Sequence, residues 1–170
     1  MIGKLAIMLM SVTLGADPQS PMRNPDGTTP RKPHPLAPSL PETTKAEEDK
    51  FDEIINRFID ADVGKLKGPE AKAALEDFRK LPPESVFALI RGLNKAAAID
   101  GSCPALVIGK KLKMQLRSST DKQLLQYARE NIGAGLTHSR HAMVIKDLKL
   151  GCALRMHQLN NQAPPELKGP

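Results

Sequence analysis

Val86, Leu89, Ile90, Leu93 and Ala97 fall at i, i+3, i+4, i+7 and i+11. At 3.6 residues per turn they line up as one apolar stripe, which predicts an amphipathic helix. Directly before it stands Leu81-Pro82-Pro83-Glu84-Ser85. Proline cannot continue the helix that ends near Leu81, but in the first turn of the next helix it loses no hydrogen bond. A tight corner between two helices is expected here.

The same period recurs on both sides. Phe51, Ile54, Ile55, Phe58 and Ile59 make a stripe behind Thr44, which forms a Thr-x-x-Glu capping box with Glu47. Glu47, Glu48, Asp49, Asp52 and Glu53 crowd the first turns, where the helix dipole favours them. That helix is expected to stop near Asp62-Val63-Gly64. Gly68-Pro69 opens a second, carrying Leu75, Phe78 and Leu81 toward the core. Ser102-Cys103-Pro104 opens a fourth, with stripe Ala105, Ile108, Leu112 and Leu116. The fifth is capped by Thr120 with Gln123 at its third position and carries Leu124, Leu125, Ala128 and Ile132 as far as Gly133-Ala134-Gly135. A sixth, from about Thr137, carries Ile145, Leu148, Cys152, Met156 and Leu159.

Period-two runs of β-branched and aromatic residues do not occur, and aromatic content is only 3%. The core must then be built from Leu, Ile, Val, Ala and Met. These patterns predict an all-α fold of about six helices in antiparallel hairpins, either a right-handed stack or a small helical bundle.

The ends read differently. Residues 1–16 join Lys4 to the apolar run from Leu5 to Leu14, followed by Gly15 and Ala16. This is the pattern of a secretory signal peptide, and it is too short to span a bilayer. Export to the periplasm or the extracellular space is expected. Residues 17–44 hold eight prolines, so a disordered or polyproline-like linker is expected. The helical domain is placed at 45–160 and a flexible tail at 161–170.

Leu81-Pro82-Pro83-Glu84-Ser85-Val86-x-x-Leu89-Ile90-x-x-Leu93, preceded by an Ala- and Leu-rich helix, resembles the HEAT-like helical repeat. The resemblance covers about residues 68–135, with the corner after Leu81 matched some 37 residues later near Ser118-Ser119-Thr120, which lacks the proline corner. The whole arrangement also resembles a group of small exported bacterial proteins. HEAT-like repeats serve as protein-binding scaffolds, so the resemblance implies binding rather than catalysis.

Charge narrows the choice of partner. Residues 1–62 carry 7 Lys/Arg against 10 Asp/Glu, a net −3, and residues 63–170 carry 18 against 9, a net +9. Arg91, Lys95, Lys110, Lys113 and Arg117 sit at helical spacings opposite the apolar stripes, and a solenoid would align them as a face for an acidic protein or another anionic envelope component. Nucleic acid is disfavoured, because aromatic stacking platforms are missing.

Sequence motifs for chemistry are sparse. No glycine-rich phosphate loop, nucleophile elbow or haem-attachment motif occurs. Asp60-x-Asp62-x-Gly64 has the start of a calcium loop, but its glycine stands at loop position 5, Lys65 follows it, and Ala71 occupies position 12. His138 and His141 lie one turn apart, as two metal ligands would, without further ligands nearby. Cys103 and Cys152 are an even pair in an exported chain, and Gly151 beside Cys152 would permit close backbone approach. A disulfide between them is one expectation, and two separate core thiols are the other. The sequence thus predicts an exported, non-enzymatic binding or scaffold module without a cofactor. A small metal-handling protein or enzyme using His138 and His141 is the alternative, and a structural envelope component is a third.

Overall fold

Six α-helices follow a two-stranded ribbon in the computed structural model, which describes residues 31–99, 103–136 and 140–162. The strands are β1 (Pro33–His34) and β2 (Ala37–Pro41). The helices are α1 (Lys45–Asp62), α2 (Gly68–Arg79), α3 (Val86–Ala97), α4 (Pro104–Ser118), α5 (Lys122–Asn131) and α6 (Ala142–Gln162). The all-α small bundle is as the periodicity predicts. Residues 1–30 and 163–170, and with them the signal sequence, most of the linker and most of the tail, lie outside the described residues.

Local sequence sets the helix starts. Thr44 Oγ1 accepts from the Glu47 N–H, and the Glu47 carboxylate accepts from the Thr44 N–H at 2.8 Å, completing the capping box. Pro69 and Pro104 stand in first turns, where no donor is needed. At the proline corner, Pro83–Ser85 form one turn of 3-10 helix, closed by the Ser85 hydroxyl donating to the Pro82 carbonyl at 2.6 Å.

The packing has α3 at its centre. Val86, Phe87, Ala88, Leu89, Ile90, Gly92, Leu93, Ala96 and Ala97 are all buried, so this helix is enclosed nearly all round rather than along the single stripe expected. α1 runs beside α3 in the same direction, since Asp52 meets Arg91 and Asn56 meets Lys95 one turn further along both. They approach closely because Gly92 has no side chain: a Cβ there would stand 2.3 Å from Ile55 Cγ2. α2 turns back onto α1, with the Phe58 and Phe78 rings stacked at 4.0 Å. Its buried positions are Ala74 and Phe78, and Leu75 is 38% exposed. Leu75 therefore corrects the expected stripe: the small Ala74 takes the inward position and brings α2 close.

α4 packs against the other side of α3 and carries α6 beside it. The two are parallel, because Val144 packs at Gly109, Asp147 pairs with Lys113 at 2.5 Å, and Arg155 donates to the Ser119 carbonyl at 2.9 Å. α5 links them and ends at Gly133 and Gly135, whose φ of 74° and 79° favour glycine. Asn94 of α3 fixes that end, donating to the Asn131 carbonyl at 2.8 Å and accepting from the Gly133 N–H at 2.7 Å.

Two expectations are corrected. Residues 32–44 are not a free linker, for Pro33–His34 and Ala37–Pro41 pair antiparallel and dock on the helices. Proline removes ladder donors, but a two-stranded ribbon needs donors on one edge only, and docking supplies the rest. Ala37 is 0% exposed, and the His34 ring stacks on Phe87 at 4.3 Å, which meets Tyr127 edge-on. The cap of α5 also differs: Asp121, rather than Thr120, occupies the position before the helix, and no side chain caps it.

Candidate functional site

Of the five cations expected on one face, Arg91 and Lys95 sit on the α1–α3 seam and Lys113 on the α4–α6 seam, which corrects the idea of a single aligned row. Arg91 Nη2 holds Glu48 at 2.6 Å and Asp52 at 2.9 Å, and Lys95 donates to Asn56 Oδ1 at 2.7 Å. Partial burial opposes the Arg91 charge, but the hydrogen bonds to Asp52 and Glu48 outweigh it and raise its pKa. Both residues thus serve to join α3 to α1. Lys113 pairs with Asp147 of α6. Lys110 and Arg117 are exposed and bond to no described residue.

His138 lies outside the described residues. His141 precedes α6, and among the described residues no three His, Cys, Asp or Glu side chains gather as a metal site would require. The Asp60 turn is an ordinary helix end: Asp60 Oδ1 pairs with Lys65 Nζ at 2.9 Å, its carbonyl accepts from the Lys65 and Leu66 N–H groups, and Gly64 takes φ 81°.

The cysteines are free thiols, Cys103 exposed and Cys152 buried. The parallel course of α4 and α6 keeps them apart. Cys152 lies level with the Leu116 turn, about 20 Å along the α4 axis from Cys103 at 1.5 Å per residue, whereas a bridge needs Cα atoms within about 7 Å. Among the described residues nothing lies within 4 Å of a Cβ placed on Gly151, so the close approach expected there is not made by any of them. Burial pushes the Cys152 thiol up to about 11.

Lys111 closes the end of α2 by donating to the Arg79 carbonyl at 3.1 Å, with its ammonium 5.7 Å above the Phe78 ring. Burial there lowers its pKa. A groove of about 850 Å³ opens between β2, α1, the end of α2 and the proline corner, with Leu40, Phe51, Ile54 and Leu81 among its walls. The Arg31–Glu47 ion pair at 2.7 Å stands at its edge.

The surface that departs most from an ordinary solvated face is the outside of α4 and α6. Leu106, Val107 and Met114 are exposed on α4, and Met143, Leu150 and Leu154 on α6. The three on α6 are spaced i, i+7 and i+11, one stripe on the side opposite Leu148 and Cys152. Between the helices lies a trough of about 210 Å³, with Lys113 and Arg117 on its α4 side and Leu150 and Leu154 on its α6 side. Periodicity alone could have found this second stripe, because Met143, Leu150 and Leu154 have helical spacing. Among the described residues, no helix is long and apolar enough to cross a membrane.

No protein-family model matches this sequence, and no curated protein or solved structure is similar to it.

Proposed function

We propose that this chain is an exported, non-enzymatic helical binding module that docks a partner protein on the outer face of α4 and α6. The observation that carries this is the double stripe of α6. Ile145, Leu148, Cys152, Met156 and Leu159 turn inward, while Met143, Leu150 and Leu154 are 77%, 55% and 55% exposed. Scattered apolar side chains on a surface need no explanation. A helix that keeps a second aligned apolar stripe is one whose other side is covered in use. Arg117, which bonds to no described residue, lines the trough beside Leu150 and Leu154 and favours an anionic partner over a neutral one. The HEAT-like pattern at the proline corner supports binding rather than catalysis. The apolar run of residues 5–14 supports export.

Immobilised full-length protein and a Leu150→Gln/Leu154→Gln variant, each exposed to an envelope extract, test this. Retention of a protein by the native chain and its loss by a normally folded variant is the expected result. The same bound set on both overturns the assignment of the face.

A further inference from the structure

Gly151 stands near the middle of α6, where glycine costs a helix about 1 kcal/mol relative to alanine. Two other glycines inside described helices have a reason within the molecule. A Cβ on Gly92 would stand 2.3 Å from Ile55 Cγ2, and one on Gly109 2.8 Å from Val144 Cγ1. A Cβ on Gly151 would meet nothing within 4 Å. Gly151 instead lines the trough described above, between the cations of α4 and the leucines of α6. The trough therefore sets Lys113 and Arg117 of α4 against Leu150 and Leu154 of α6, with Asp147, Arg155 and Gln158 of α6 completing its lining and bare backbone at Gly151.

We infer that this trough receives an acidic amphipathic helix of a partner protein, with carboxylates toward Lys113 and Arg117, aliphatic side chains toward Leu150 and Leu154, and its axis crossing α6 at Gly151. The inference rests on the assignment of the α4–α6 face as the binding surface. Charge complementarity selects the acidic partner: residues 103–162 carry ten Lys/Arg against three Asp/Glu, a net +7, whereas residues 31–99 carry twelve of each. The one acid at the trough, Asp147, already pairs with Lys113, while Arg155 bonds only the uncharged Ser119 carbonyl and Gln158, which leaves Arg117 and Arg155 to be neutralised from outside. Glycine selects the helix. The distance between packed helices is set by the side chains at their crossing, so a glycine there draws a second helix in. A lipid surface would rest on the ridges and gain nothing from it.

The test is selection of a displayed library of helix-forming peptides on the full-length protein, with anionic phosphatidylglycerol vesicles as a parallel arm. Enriched peptides are expected to carry Asp or Glu on one edge and Leu, Ile or Met on the other. Their affinity is expected to fall about tenfold or more with Gly151→Leu, which fills the trough, and with Arg117→Glu, which reverses the charge on its α4 side. Circular dichroism of both variants should match the native protein and neither should unfold at a lower temperature, since neither site has a packing or bonding partner to lose. No enrichment, enrichment without an acidic bias, or peptides indifferent to Gly151→Leu would each overturn the inference. Vesicle binding without peptide binding, abolished by Leu150→Gln/Leu154→Gln, overturns the acidic helix but keeps the face. Peptide binding that survives Leu150→Gln/Leu154→Gln overturns the face itself.

Discussion

Asp121 opens α5 without capping it, and its carboxylate instead holds Ser39, 82 residues earlier, accepting from the Ser39 N–H at 3.3 Å and from the Ser39 hydroxyl. An aspartate at this position ordinarily accepts from the first free amides of its own helix. Here the bond fastens the ribbon of residues 33–41 onto the bundle. Asp121→Ala is expected to cost about 1 kcal/mol, the net worth of a partly exposed hydrogen bond. The sharper check is amide exchange: the Glu42 N–H, bonded to the Lys32 carbonyl at 2.7 Å, should exchange faster, with α3 unchanged. Equal exchange in both proteins would mean that Ala37 and the His34–Phe87 stack hold the ribbon alone.

Two alanine substitutions should act in opposite directions. Gly92→Ala places a methyl 2.3 Å from Ile55 Cγ2 and must push α1 from α3, costing roughly 1–3 kcal/mol despite the better helix former. Gly151→Ala meets nothing, and should raise stability by about 0.5–1 kcal/mol. Denaturant unfolding of both variants checks this. A stabilised Gly92→Ala would show that Ile55 has another rotamer available.

Most of the fold was legible because each helix carries its own start signal and an inward stripe of period 3.6. Thr44 with Glu47, Pro69, the Pro82-Pro83 corner and Pro104 act within one turn, so neighbours in sequence suffice to place them. What was not legible depends on residues distant in sequence. The ribbon forms because Phe87, Tyr127 and Asp121 receive it, and eight prolines in its neighbourhood point locally the other way. The same lack of direction defeats the cysteine argument: Cys103 and Cys152 each sit on plausible positions, but only the parallel course of α4 and α6 shows how far apart they are. Arg91 and Lys95 looked like free surface because their partners, Glu48, Asp52 and Asn56, lie about 40 residues earlier.

Acid should expose the worth of Glu47. Its carboxyl is held below the ordinary glutamate range, first by the Thr44 backbone N–H and further by Arg31. A carboxyl with a lowered folded-state pKa stabilises the fold above its unfolded pKa, and that contribution disappears as pH falls through the folded value. Between about pH 6 and pH 3 the native protein should therefore lose more stability than Glu47→Gln. Unfolding midpoints of the two proteins across that range decide it, and parallel curves would show that the capping box does not depend on ionisation.

The thiols can be counted in the folded state. Cys103 is exposed at the entry to α4, whereas Cys152 is 0% exposed and its thiol is pushed up to about 11 by burial. The reactive species is the thiolate, so near pH 8 Cys152 is blocked twice, by access and by protonation. One fast-reacting thiol per native chain is expected with an aromatic disulfide reagent, and it should vanish in Cys103→Ser. In denaturant, without reductant, the count should rise to two. The second thiol should appear at the rate of unfolding of the α4–α6 pair, because Leu148 and Cys152 share one buried stripe. Zero thiols under denaturant would reveal a bridge and overturn the parallel arrangement of α4 and α6, since helices 20 Å out of register at those positions, about thirteen residues at 1.5 Å each, cannot be cross-linked without sliding past one another. Two fast thiols in the native state would place Cys152 at the surface, and with it the inward stripe of α6.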